Sequence, residues 1–211
     1  MYPFHQQVQE FFPDFDYRNP RPDIRDRCDM RRPDNVVGHQ QRAFSTYWAV
    51  KQCSPVDLGL DLGSPKGLTP YCVSVDVFGD GSVHPFYGGG RYLSDVVGDA
   101  ADVSRFPKDA WPLVVSNHSL EHIPVRDDEG IVSVLESWFS LLRPGGVLAM
   151  IVPDNDHFDV MASDANHYHA WSWADFRPRV LDEVIRRTGA MLVEYNTLQN
   201  HFSFNVVLGK P

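Results

Sequence analysis

Near the end of the chain two apolar runs, MLVEYNT at 191–197 and HFSFNVVLG at 201–209, are separated by little more than Leu198-Gln199-Asn200. A connection that short closes a hairpin and cannot hold the crossover that parallel neighbours need, so the final strand must run antiparallel. The pattern upstream is the opposite. From Val56 onward apolar runs (VDLGLDL, CVSVDVF, SDVVGDA, PLVVSNH, VLAMIVPD) alternate with helical stretches, and several runs are apolar on both faces. That reads as a mostly parallel α/β sheet with helices on both sides. A parallel sheet closed by an antiparallel hairpin strand is more specific than a plain doubly wound fold.

The helices carry their own punctuation. DDEGIVSVLESWFSLLRPGG has Asp127 or Asp128 as cap, a shared face of Ile131, Val134, Leu135, Trp138, Leu141 and Leu142, and Pro144-Gly145-Gly146 as the expected end. In SWADFRPRVLDEVIRRTG, Ser172 and Asp175 have capping-box spacing and Gly189 is the stop, while Pro178 predicts a kink or a later start. Asn35 is placed to cap a helix running to Gln52 that buries Val36, Phe44, Tyr47 and Trp48. Before it, residues 1–35 interleave Arg, Asp and Pro and have little to bury. They are expected to form an extended arm, able to serve a homodimer, with one domain from 36 to 211.

The net charge of −9 disfavours a nucleic-acid partner. No run approaches the ~18 to 20 apolar residues that cross a bilayer. The three scattered cysteines and the absence of a secretory-type start suggest a cytoplasmic setting.

In open α/β sheets ligands bind outside the carboxyl ends of the strands. Here those ends read Asp61-Leu62-Gly63-Ser64, Asp76, Gly98-Asp99-Ala100, Ser116-Asn117-His118 and Pro153-Asp154-Asn155-Asp156-His157. An edge so rich in acids repels a phosphate and suits a cation carrying a ribose, with Asp76 placed to take both ribose hydroxyls.

In this order and spacing, LDLGSPKG, VSVDVF, VVGDAADV, VVSNHSLEHIP, LLRPGGVLAMIVPD and HYHAWSW resemble class I S-adenosylmethionine-dependent methyltransferases, closest to the small-molecule branch with LEHI after the fourth strand. The resemblance covers the chain from about Val56 onward. It implies a Rossmann-like sheet of seven strands, the last antiparallel and inserted beside the fifth, and S-adenosylmethionine as cofactor. It places Gly63 and Ser64 against the methionine part, Asp61 near the ammonium, Asp76 on the ribose, and Asp99 and Ala100 on the adenine. Asn117 and His118 fall where the methyl group is presented. The departure is the first turn: Ser64-Pro65-Lys66 replaces the middle of the family's D-x-G-x-G-x-G, with no room for a helix before Pro70.

For proton removal from a small-molecule acceptor, His118 is the first candidate and His122 the second; His122 equally fits a turn-fixing role. Glu121 reads as an anchor for the turn or as a holder of an amine substrate. The stretch PDNDHFDVMASDANHYHAWSW brings His157, His167 and His169 among Asp154, Asp156 and Asp159. Such residues can ligate a divalent cation or line a substrate pocket, and the pocket reading, without metal, is preferred. Trp171 and Trp173 can stack on a substrate ring or pack in the core. Two other functions stay in view: a non-catalytic methyltransferase-like binding module, and a nicotinamide-dependent reductase, which needs a glycine phosphate turn that LDLGSPKG lacks.

Overall fold

The computed structural model describes residues 36–64, 69–77, 94–197 and 203–211. The expected arm of residues 1–35, any dimer formed through it, the Asn35 cap and the loop around Gly88-Gly89-Gly90 lie outside the described residues. The strands are β1 (Gly59–Leu62), β2 (Cys72–Asp76), β3 (Val96–Val97), β4 (Trp111–Asn117), β5 (Leu142–Pro153), β6 (Met191–Thr197) and β7 (Ser203–Gly209). They form one sheet in the order β3-β2-β1-β4-β5-β7-β6. The pairs from β3 to β5 are parallel, and β7 is antiparallel to both its neighbours. The strand order reverses where β1 lies between β2 and β4, which opens a crevice at their carboxyl ends.

Side chains along the central strands alternate between two cores, as the pleat requires. On one face α1 (Val36–Gln52) sets Phe44 and Trp48 against Leu113, Val115, Val147, Ala149, Ile151 and Val207. On the other face Val114, Leu148, Met150 and Val206 meet α2 (Asp128–Leu141) and the helical run from Trp173 to Thr188. On α2, Ile131, Leu135 and Trp138 are each fully buried. At about 1.5 to 3 kcal/mol per buried apolar side chain, that stripe outweighs the helix cap, whose removal costs about 1 kcal/mol. The cap therefore decides where α2 starts: the Gly130 N–H donates to the Asp127 carboxylate at 2.9 Å.

Two boundaries differ from expectation. The helix α2 stops at Leu141, before Pro144, because the Asp109 and Ala110 amides donate to Ser140 O and Leu141 O and Leu142 already pairs with Trp111. Pro144-Gly145-Gly146 thus lies within β5, where a Cβ on Gly146 would fall 2.8 Å from the Trp111 carbonyl. The strand β3 is two residues long, and Asp95 just before it is engaged with β2, accepting from Ser74 N and Ser74 Oγ at 2.9 Å each.

After β5 come α3 (Val160–Ser163) and then α4 (Trp173–Phe176), a π-helical turn (Arg177–Leu181) and α5 (Asp182–Thr188). Ser172 caps α4, accepting from Asp175 N and donating to the Asp175 carboxylate. Pro178 sits in the π-turn, where the Asp182 N–H reaches back to Arg177 O, so the expected irregularity is a local widening of a continuous helical run. No described helix is long and apolar enough to cross a membrane.

Candidate functional site

The turn after β1 is closed by packing against the end of β4. The backbone of Gly63 has φ +75°, and a Cβ there would meet Ser119 Cβ at 2.2 Å. Ser119 Oγ in turn donates to Leu62 O and shares a hydrogen bond with Ser116 Oγ. The Gly63 and Ser64 amides both donate to Val75 O, at 2.8 and 3.2 Å. Neither N–H is therefore offered to an anion, in keeping with the missing phosphate turn. Asp61, 2% exposed, accepts from Thr69 Oγ1 at 2.5 Å.

Asp76 ends β2 and is 9% exposed; its carbonyl accepts from Gly98 N at 2.8 Å, which ties it to the turn after β3. In that turn the exposed Asp99 uses one carboxylate oxygen to hold Ala101 N at 2.8 Å, and Ala100 O accepts from Trp138 Nε1 at 2.7 Å. The turn is thus pinned to α2. Asn117, last in β4, donates to Ser45 Oγ of α1 at 3.1 Å. Residues 65–68 and 78–93, which follow β1 and β2, lie outside the described residues.

Beyond β4 the chain turns through His118, at φ +51°, into a 3-10 turn, Leu120–His122. Its centre is Glu121, 0% exposed, with neither carboxylate oxygen hydrogen-bonded among the described residues. His118 Nδ1 lies 3.8 Å and His122 Nε2 4.0 Å from Glu121 Oε1. Burial pushes the Glu121 carboxyl up to about 8, since desolvation penalises the charged form, and the Asp164 charge adds in the same direction. Burial also pushes His118 down to about 3, with His122 and His167 adding in the same direction, so the ring is neutral at neutral pH. The other nitrogen of His118, Nε2, lies 2.7 Å from Ser203 Oγ on β7. Burial lowers His122 as well.

The segment after α3 is tied to this turn by its backbone. Tyr168 N and His169 N both donate to Glu121 O, and His122 Nδ1 lies 3.1 Å from Asn166 O. His167 is brought beside His122, ring centroids 4.5 Å apart and tilted by 46°. The other residues of that segment go elsewhere. His157 faces Asp154 at 3.6 Å, and His169 packs its ring flat on Trp171 with Nε2 3.2 Å from Ile123 O. Trp171, expected beside a substrate ring, is 2% exposed; it donates to Asp128 and meets Phe176 edge-on. Its neighbour Trp173 stacks on Tyr195 at 3.6 Å. Both indoles are thus engaged in packing.

Sequence reasoning missed Ser45, Thr69, Ser119 and Ser203, the hydroxyl partners that fix these side chains. Only Ser119 had a readable signal, its place in SNHSLEH directly after a strand end. A shallow depression of about 450 Å³ between the turn after β3 and α2 is lined by Asp102, Lys108 and Glu136 among others, and takes in none of the expected site residues.

No family model matches the chain, and no curated protein matches it. Solved structures do. The N-methyltransferase NodS from Bradyrhizobium japonicum WM9 is 15% identical with a TM-score of 0.57, over 84% of this chain and 98% of that one. Geranyl diphosphate C-methyltransferase from Streptomyces coelicolor A3(2), solved with Mg²⁺, geranyl-S-thiolodiphosphate and S-adenosyl-L-homocysteine, is 13% identical with a TM-score of 0.57, over 84% and 78%. A chain from the complex of the Haloferax volcanii Trm112 methyltransferase activator with a methyltransferase is 19% identical with a TM-score of 0.54, over 82% and 92%. These likenesses establish the fold: a Rossmann-like, class I methyltransferase sheet of seven strands with an antiparallel β7.

Proposed function

We propose that this chain transfers a methyl group from S-adenosylmethionine to a small-molecule acceptor, a sugar or a secondary metabolite by class. The observation that carries the reading is the row of carboxylates Asp61, Asp76 and Asp99 at or just beyond the ends of β1, β2 and β3, beside the point where the strand order reverses. Such an edge favours a cationic, ribose-bearing ligand. The committed Gly63 and Ser64 amides speak against a dinucleotide, whose pyrophosphate needs them. The S-adenosylhomocysteine in the Streptomyces structure supports the same donor.

In this reading Asp76 holds the ribose hydroxyls, and Asp99 accepts from the adenine amine through its second oxygen, with Ala100 beside the ring. Asp61, with Thr69, orients the ammonium, while Gly63, Ser64 and Asn117 border the methionine part. When bound, S-adenosylmethionine supplies the activated methyl carbon. The chain's own residues must align the acceptor and take its proton where one is lost. His118, at the end of β4, is the first candidate for that role; burial keeps its ring neutral and makes it a weak base in the unliganded chain. His122 stands second, and Glu121, His157 and His167 border the acceptor side, with His169 and Trp171 supporting them by packing. A non-catalytic module would share the cofactor residues and differ only in lacking turnover.

Calorimetric titration of the full chain with S-adenosylmethionine, S-adenosylhomocysteine and NAD tests this. The two adenosyl ligands are expected to bind and NAD is not. Asp76→Ala should weaken adenosyl binding by at least about 1.5 kcal/mol, the scale of a hydrogen bond to a charged group. An unchanged affinity in that variant, or binding of NAD alone, refutes the reading.

A further inference from the structure

We infer that Glu121, His122 and His167 form a binding site for a first-row divalent transition metal, with two imidazoles and one carboxylate as ligands. One ligand atom from each of the three lies within 4.8 Å of the other two. This set is not the grouping of histidines weighed from the sequence, because it joins the turn after β4 to the segment after α3.

Three independent features point the same way. Glu121 is fully buried, and no hydrogen bond reaches its carboxylate. A buried carboxylate without a hydrogen bond is costly, and among the described residues only the imidazoles of His118 and His122, both shifted toward the neutral form, stand within ion-pair distance of it. The second feature is the orientation of the imidazoles. His122 Nδ1 faces the Asn166 carbonyl at 3.1 Å and His167 Nδ1 faces the Val160 carbonyl at 2.6 Å. A carbonyl can only accept, so in each neutral ring Nδ1 carries the proton and Nε2 keeps its lone pair. That is the tautomer of a histidine ligand whose far nitrogen is anchored by an outer partner. The His122 Nε2 so freed is the atom turned toward Glu121, 4.0 Å away. The third feature is rigidity: Tyr168 N and His169 N both donate to Glu121 O and lock the two ligand-bearing segments together.

Metal–ligand bonds of about 2.0 to 2.2 Å put neighbouring ligand atoms roughly 3 to 3.5 Å apart, so closing the set requires about 1 Å of inward motion. The partly exposed rings of His122 and His167 can supply it. Two imidazoles and one carboxylate suit Zn²⁺, Fe²⁺ or Co²⁺ better than Mg²⁺ or Ca²⁺, which prefer all-oxygen sets. Three protein ligands leave a position open for water or for an acceptor oxygen, the latter resting on the methyl-transfer reading.

The test uses the full chain, stripped with EDTA and dialysed, titrated with Co²⁺ and Zn²⁺ in the absence of any adenosyl ligand. Saturable binding of one equivalent is expected, with a visible Co²⁺ absorption band and Mg²⁺ failing to compete. Glu121→Gln and His167→Ala should each weaken Co²⁺ and Zn²⁺ binding by at least about 100-fold, beyond the loss typical of outer-shell changes. Asp156→Asn, an acid outside the set in the segment between β5 and α3, should leave affinity unchanged. Circular dichroism confirms that each variant is folded, and Glu121→Gln, near-isosteric, guards against a collapse of His167→Ala. No saturable binding, or binding unaffected by both ligand variants, overturns the inference. Metal binding without S-adenosylhomocysteine binding would leave it standing while removing the methyl-transfer reading.

Discussion

Replacing Glu121 by Gln in the metal-free protein should raise stability, by an amount that grows with pH. An ordinary glutamate titrates near 4.5 and this one at about 8, because burial without a hydrogen bond disfavours its charged form. Folded protein therefore keeps a proton that unfolded chain has already released, and stability falls as pH rises from 4.5 through 8. At 1.36 kcal/mol for each tenfold in proton affinity, the loss is about 1 kcal/mol at pH 5, about 3 at pH 7 and about 5 above pH 8. The glutamine amide has nearly the shape of the protonated carboxyl and no charge to bury, so the variant escapes this loss. His118 contributes the opposite slope: its ring is held neutral down to about 3, so stability falls as pH drops below 6.5. His118 Nδ1 lies 3.8 Å from Glu121 Oε1, so the two titrations are coupled, and the gap is attributable to Glu121 alone above pH 7, where the His118 ring is neutral in folded and unfolded chain alike. Urea unfolding of wild type and Glu121→Gln from pH 5 to pH 9 in EDTA reads the gap directly. A gap that stays flat, or a variant less stable at pH 9, would refute the account of a buried carboxyl without a hydrogen bond.

Three further outcomes follow from the geometry. Gly63→Ala should cost about 2 to 4 kcal/mol in urea unfolding, through left-handed backbone strain and collision with Ser119, and Gly63→Ala/Ser119→Gly should recover part of it. Asp128→Ala removes the acceptor of Trp171 Nε1 at 3.1 Å and of Arg179 Nε at 2.7 Å; a loss of about 1 to 3 kcal/mol is expected by thermal or chemical melting. Once an acceptor is in hand, His118→Ala should slow methyl transfer by about 100-fold while S-adenosylhomocysteine affinity stays nearly intact; a large affinity loss would make His118 a scaffold residue.

Much of the frame was legible because its causes are local. The short link after Thr197 dictates the direction of β7, the Ser172–Asp175 spacing starts α4, and the stripe from Ile131 to Leu141 builds α2. The carboxylates at the strand ends follow from the same periodicity. What was illegible depends on distant partners. Pro144 looked like a helix end, yet the Asp109 and Ala110 amides end α2 earlier by taking its last carbonyls. His157, His167 and His169 looked like one cluster; backbone bonds to Glu121 O and the carbonyls of Val160 and Ile123 send the rings of His167 and His169 to different places. The meeting of Glu121 with His167 spans 46 positions and leaves no trace in spacing.

The position of β7 has a consequence for assembly. In the sheet β6 touches only β7, so its place beside the central strands depends on a segment that the ribosome makes after it. Until Ser203–Gly209 has slid in along β5, the β6 segment has no docking partner in the sheet, and Met191, Leu192 and Val193, exposed even when folded, form an unprotected apolar ribbon. Order of synthesis and order of docking therefore run in opposite directions at this edge, which leaves an apolar segment waiting for its partner during assembly.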